Sequence, residues 1–288
     1  MNNSDSNPKE IVPALRSFAR LIVFGTSFIL LVFICSTATP LFRVDGNGAL
    51  GGYGLVQIAI VNTAICLISI LLARVIFKVQ DDTCLGLKSS FSGAFKHLLL
   101  GFLLGGIFLS IVVGALSFTG GYRFVAFNES PNIMHFFLLF FVGAFNEELV
   151  FRGFIFQDLE RVLGTKISIL ISSFLFGFVH MINHVPNVTP ESQMVFCTFL
   201  SLEAGLPFVM AFILTRSIWF AVGIHWTWNF FEGAVFGANV SGHELNSAVM
   251  LAKLSEGVFG GGGAFGPENT LVSLFAGIGL FYFLYRLK

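Results

Sequence analysis

Carboxylate, imidazole and amide side chains interrupt four otherwise apolar stretches in the middle of this 288-residue chain. The first stretch carries Asn146-Glu147-Glu148 with Arg152, and the second carries His180 followed by His184. The third holds Glu203, and the fourth holds His225, Asn229 and Glu232. Such groups can hydrolyse a peptide bond with water, which takes a base for the water, donors for the oxyanion and an acid for the leaving amine. No Ser or Cys in these stretches has an evident base partner by spacing, so an activated water is favoured over a covalent nucleophile. The same set would also serve a proton or ion path through a transporter, but neither the inverted repeats nor the broken helices of transporters show in the sequence.

Helical spacing sorts these residues. Glu148 and Arg152 stand four apart and share a face, so they can pair. Glu147 lies about 100° around the helix from Glu148, so the two carboxylates are not expected to point at one spot. Glu147 is expected as the general base and Glu148 as the partner that, with Arg152, holds its helix in register. His225 and Asn229 form one stripe, as do Phe176 and His180. His180 and His184 have metal-ligand spacing, but His184 is two residues from Pro186 and reads as an interfacial histidine. Zinc would draw on Glu147, His180 and His225, leaving Asn229 as the only clear oxyanion donor. A site that requires no cofactor is therefore the expectation, with zinc as the alternative. Glu203 suits packing or cavity lining, and Glu232 the rim of the site. His97, His135 and His243 fall at segment ends or in loops and are expected to be solvated.

The elements that position these groups must lie in a membrane. Only 11% of the chain is charged against 55% hydrophobic, and 37 residues are Phe; soluble domains carry about 25% charged residues. The 16 Lys and Arg balance 16 Asp and Glu, which excludes a nucleic-acid binder. Cys35, Cys66, Cys84 and Cys197 form no CxxC pair. A span needs about 20 apolar residues, and eight stretches qualify: approximately 21–38, 55–73, 98–118, 133–156, 167–185, 194–214, 218–236 and 271–284. The fold class is thus all-α, a polytopic bundle of about eight transmembrane helices. Residues 1–20 form a cytosolic N-terminal segment and 21–288 a single transmembrane domain. With the N-terminus inside, 13 of the 16 Lys and Arg fall on the cytosolic side, or 12 if Arg152 is intramembrane, so both termini are expected in the cytosol. At about 1.5 Å per residue, Glu147, His225 and Asn229 lie roughly 14, 10 and 16 Å from the cytosolic ends of their spans, and His180 about 20 Å, less where the first turn of its helix sits outside the lipid. This puts all four in the cytosolic half. Gly260–Gly263 reads as a loop and not a phosphate cradle, because no strand precedes it and no helix opens from it.

Glu147-Glu148-Leu-Val-Phe-Arg152 fits EExxxR, Phe176-Gly-Phe-Val-His180 fits FxxxH, and His225-Trp-Thr-Trp-Asn229 fits HxxxN. In this order the three motifs resemble those of the CPBP family of intramembrane proteases, also called the Abi or CAAX-protease family, over roughly 136–242 with a catalytic core at about 133–242. The resemblance implies an eight-helix peptidase in which Glu147 and His180 activate water and His225 and Asn229 stabilise the oxyanion. It also implies as partners the lipid bilayer and a peptide or prenylated protein, entering from the membrane or the cytosolic side. Short loops without an appended domain look more like a prokaryotic cell-membrane enzyme. A catalytically silent scaffold or immunity protein is the remaining alternative.

Overall fold

The computed structural model describes residues 8–38, 55–77, 84–183, 185, 187–245 and 247–288. His184 lies outside the described residues. Nine α-helices are described: α1 Pro8–Ala38, α2 Leu55–Ile76, α3 Phe91–Thr119, α4 Ile133–Glu148, α5 Gln157–Phe178, α6 Pro190–Leu200, α7 Leu206–Thr215, α8 Ile218–Asn229 and α9 Leu271–Arg286. π-helical turns continue α4 over Leu149–Phe156, join α6 to α7 over Ser201–Gly205, and extend α8 over Phe230–Val235.

The architecture is an all-α membrane-type bundle, and a helix covers each stretch read as a span. Five helices are long and apolar enough to cross a membrane, one of them the continuous run Ile133–Ile182. By apolar length that run counts as two spans. It breaks at Gly164, whose φ of 71° and ψ of 166° leave the helical region in a conformation that costs glycine little. The count of eight spans is not fixed by these helices.

One feature departs from the expected pattern. Tyr122–Phe127 (β1) and Met250–Leu254 (β2) form an antiparallel two-stranded sheet, with Tyr122 opposite Leu254 and Phe127 opposite Met250. This hairpin-like sheet sits where α3 ends and α4 begins, at the end of the bundle opposite the C-terminus of α9. Even the nearest partners, Phe127 and Met250, are far apart in sequence, a separation at which local pattern carries no pairing signal.

Close backbone packing sets the helices around the site. A Cβ built on Gly105 of α3 would stand 2.5 Å from the Ile224 carbonyl oxygen, and one on Gly101 would run into the Phe220 carbonyl. From the other side, Gly223 abuts Leu98 in the same way. These glycines let α3 and α8 touch backbone to backbone, the small-residue packing that membrane helices use in place of a hydrophobic drive. The sharp reversal from α7 into α8 places Arg216 in the left-handed region at φ 51° and caps α8 with the Ser217 hydroxyl. Near the end bearing the termini, Arg20 of α1 makes a buried two-pronged ion pair with Asp158 of α5, at 2.8 and 2.7 Å, the geometry in which Arg–carboxylate pairs are strongest.

Candidate active site

The three motifs meet. Glu147 from α4, His180 from the 3-10 turn after α5, and His225 and Asn229 from α8 line one cavity of about 440 Å3. Glu148 and Arg152 stand behind it, both fully buried, with Arg152 Nη1 donating to Glu148 Oε1 at 2.9 Å. The guanidinium also donates to the Gly205 carbonyl at 3.1 Å and lies 4.4 Å from the centre of the Phe176 ring. The Phe of FxxxH is therefore wedged between Arg152 and His225, whose imidazole meets it edge to face. Phe208 stacks on the His225 ring at 4.8 Å.

Glu148 does more than pair with Arg152. Its Oε1 also accepts the His225 Nδ1–H at 3.0 Å. Glu147 approaches the opposite nitrogen, with Oε2 3.9 Å from His225 Nε2. The expectation that the two carboxylates diverge is corrected accordingly. They do leave α4 in different directions, but α8 sets His225 between those directions, so one imidazole is addressed from both sides. A 3.9 Å separation is too long for a hydrogen bond, and a water about 2.8 Å from both atoms fits across it.

These contacts fix ring chemistry. His180 Nδ1 stands 3.0 Å from the Phe176 carbonyl, which can only accept, so Nδ1 carries the proton and Nε2 presents a lone pair. His225 donates through Nδ1 to Glu148; to donate from Nε2 as well, its ring must carry both protons. Glu147, about a third exposed, faces the cavity, whereas Glu148 is sealed from it.

The cavity extends toward the end of the bundle that carries the two-stranded sheet. Leu139 and Phe140 of the hairpin half of α4, and Ser241, His243 and Glu244 beyond α8, line the same cavity. His243 and Glu244 are exposed, so the mouth opens there. His180 stands in the 3-10 turn that follows α5. His243, expected to be solvated, is exposed and lines the cavity at its mouth. Glu268 reaches the cavity too, its Oε2 taking hydrogen bonds from the Ser241 N–H and hydroxyl at 2.9 and 2.8 Å. Sequence reasoning missed Ser241, His243 and Glu268 because tertiary folding, and no motif, brings them in. Glu232 does not form the rim: it is fully buried away from the cavity, and its Oε1 accepts the Glu268 N–H at 3.3 Å. Glu203 is buried against Gly277 of α9 and does not line the cavity.

Residues 129–231 match the family model described as type II CAAX prenyl endopeptidase Rce1-like, a span that holds all three motifs. Over that span the chain is similar to a CAAX-protease domain. That domain belongs to a family of membrane endopeptidases, and with the apolar helices around it the chain is an integral membrane protein. No curated protein and no solved structure matches the chain.

The family's zinc alternative can be tested against the donors. Among the described residues, no three His, Cys, Asp or Glu side chains converge as a metal-binding group would.

Proposed function

We propose that the protein is an intramembrane endopeptidase in which Glu147 and His180 activate water and His225 and Asn229 hold the oxyanion. The observation that carries this reading is the convergence of these four side chains, from three separate helices, on one cavity. Glu147 takes a proton from a water held against the scissile carbonyl, while the His180 Nε2 lone pair orients that water. The new oxyanion is met by His225 Nε2–H and the Asn229 amide, donors of a kind each worth about 10²–10³ in rate. Glu147 then passes its proton to the departing amine, and the C–N bond breaks. Glu148 acts through His225: it fixes the ring's tautomer and direction, and Arg152 balances its charge. Leu139, Phe140 and Phe208 give the cavity apolar walls that suit an apolar side chain near the scissile bond. The chain sits in a cell membrane with both termini in the cytosol, which turns the cavity mouth to the opposite side.

The test is cleavage of a fluorogenic peptide library by purified protein in proteoliposomes, with ion flux recorded in the same vesicles. Turnover that Glu147→Gln and His180→Ala abolish, and that a chelator leaves intact, supports the reading. Flux without cleavage would replace it with a transporter, and activity lost to chelation and restored by zinc would replace its chemistry. Reporter fusions at the two termini should both read cytosolic.

A further inference from the structure

The chain beyond Phe231 lies outside the matched family residues, and part of it builds the mouth of the cavity. Glu244 and Leu245 line both the cavity and a second depression, of about 410 Å3, that continues from the mouth alongside β2. Side chains of a strand alternate between its faces, so a depression lined by the consecutive residues Met250, Leu251 and Ala252 follows the strand's edge. That edge is open. Among the described residues, β2 pairs with β1 alone, and Leu251–Leu254 make no backbone hydrogen bond outside that pair. The facing wall is Gly263 and Ala264, tied down by a 2.9 Å hydrogen bond from Asn239 Nδ2 to the Ala264 carbonyl. Gly263 adds no side chain of its own to that wall, and the Glu256 carboxylate lies close against it. Glu244 and Glu256 supply the charge, and neither depression has a Lys or Arg among its described lining residues.

We propose that β2 is a docking strand for substrate. An extended polypeptide segment adds along its open edge, presents a Lys or Arg side chain to Glu244 and Glu256, and so leads its adjoining residues through the mouth toward Glu147. In strand addition the main-chain hydrogen bonds supply affinity and flanking side chains supply selectivity. The proposal rests on the protease reading and narrows its substrates to extended, basic segments that approach from the hairpin face.

Peptide binding to the Glu147→Gln variant, followed by fluorescence anisotropy in a non-ionic detergent, tests this without relying on turnover. The probes are labelled Val/Thr-rich peptides that differ only in carrying Arg, Ala or Glu at one central position. The Arg peptide should bind tightest and the Glu peptide weakest, about 3- to 10-fold apart at low salt, the range that one or two exposed ion pairs span. Salt should compress the ratio, and adding Glu244→Gln and Glu256→Gln together should bring it close to one. N-methylation of the peptide backbone should weaken binding at alternate positions, because only every second residue faces β2 with its N–H. No binding of the Arg peptide, a ratio indifferent to both substitutions, or N-methylation without alternation overturns the docking strand. If peptides bind as described but wild-type protein cleaves none of them, the protease reading fails and the docking strand stands. Cleavage with a flat ratio leaves the protease reading standing and removes the docking strand.

Discussion

Replacing Glu148 with Gln separates two roles that one oxygen performs. Glu148 Oε1 is shared by Arg152 Nη1 at 2.9 Å and His225 Nδ1 at 3.0 Å, and Glu148 and Arg152 are wholly buried. Glu148→Gln keeps the shape of the side chain but removes its charge, leaving Arg152 with only the Gly205 carbonyl and aromatic rings. Breaking a buried pair this way costs about 3–5 kcal/mol, which lowers the melting temperature by on the order of 10 °C. Turnover should fall independently, by about 10²–10³, because His225 loses the carboxylate that holds its ring toward the cavity. Melting in detergent and cleavage of one peptide substrate report the two effects separately. The double variant Glu148→Gln/Arg152→Gln removes the orphaned charge, so it should recover most of the stability while turnover stays low. If the double variant regains both, Glu148 is merely the counter-ion of Arg152 and its bond to His225 has no part in catalysis.

Glu147→Gln should abolish turnover yet melt within about 0.5 kcal/mol of wild type, because this carboxylate is a third exposed and its nearest approach to a basic group, 3.9 Å to His225 Nε2, is longer than a hydrogen bond; a clear loss of stability would contradict that. Gly105→Ala should cost about 1–3 kcal/mol by overpacking and reduce turnover, since its Cβ would press on the carbonyl one residue before His225, whereas Gly114→Ala, on the same helix with open space, should be tolerated; thermal melts of the pair check this. Tyr122, with burial raising its pKa to about 12, donates to the Phe236 carbonyl at 2.7 Å. The neutral phenol is the form that folding favours, so its contribution is whole below about pH 10 and is lost as pH rises toward 12, and Tyr122→Phe should remove that alkaline component from the stability profile.

The candidate site residues were legible because each motif repeats at helical spacing within one segment: Glu148 with Arg152, Phe176 with His180, His225 with Asn229. The bundle was legible from apolar length. Contacts between segments were not. Nothing in spacing says that α8 inserts His225 between the two carboxylates, because that depends on the glycine contact of Gly105 with Ile224. The sheet escaped notice for a similar reason, since β1 and β2 are each short and pair only through the fold. Counting α-helical turns from Asn229 puts Glu232 at the rim, but a π-helical turn intervenes and rotates it away.

The Arg20–Asp158 pair has a consequence for what can be transplanted. Asp158 lies inside the matched segment and Arg20 far outside it. Likewise, α8 rests on the glycines of α3, and Glu203 on Gly277 of α9. The segment that homology recognises is therefore smaller than the unit that folds. A chimaera receiving residues 129–231 alone would inherit Asp158 with Arg161 but without the buried, two-pronged Arg20, and α8 without its bearing surface. Grafting this chemistry onto another scaffold means carrying α1, α3 and α9 with it.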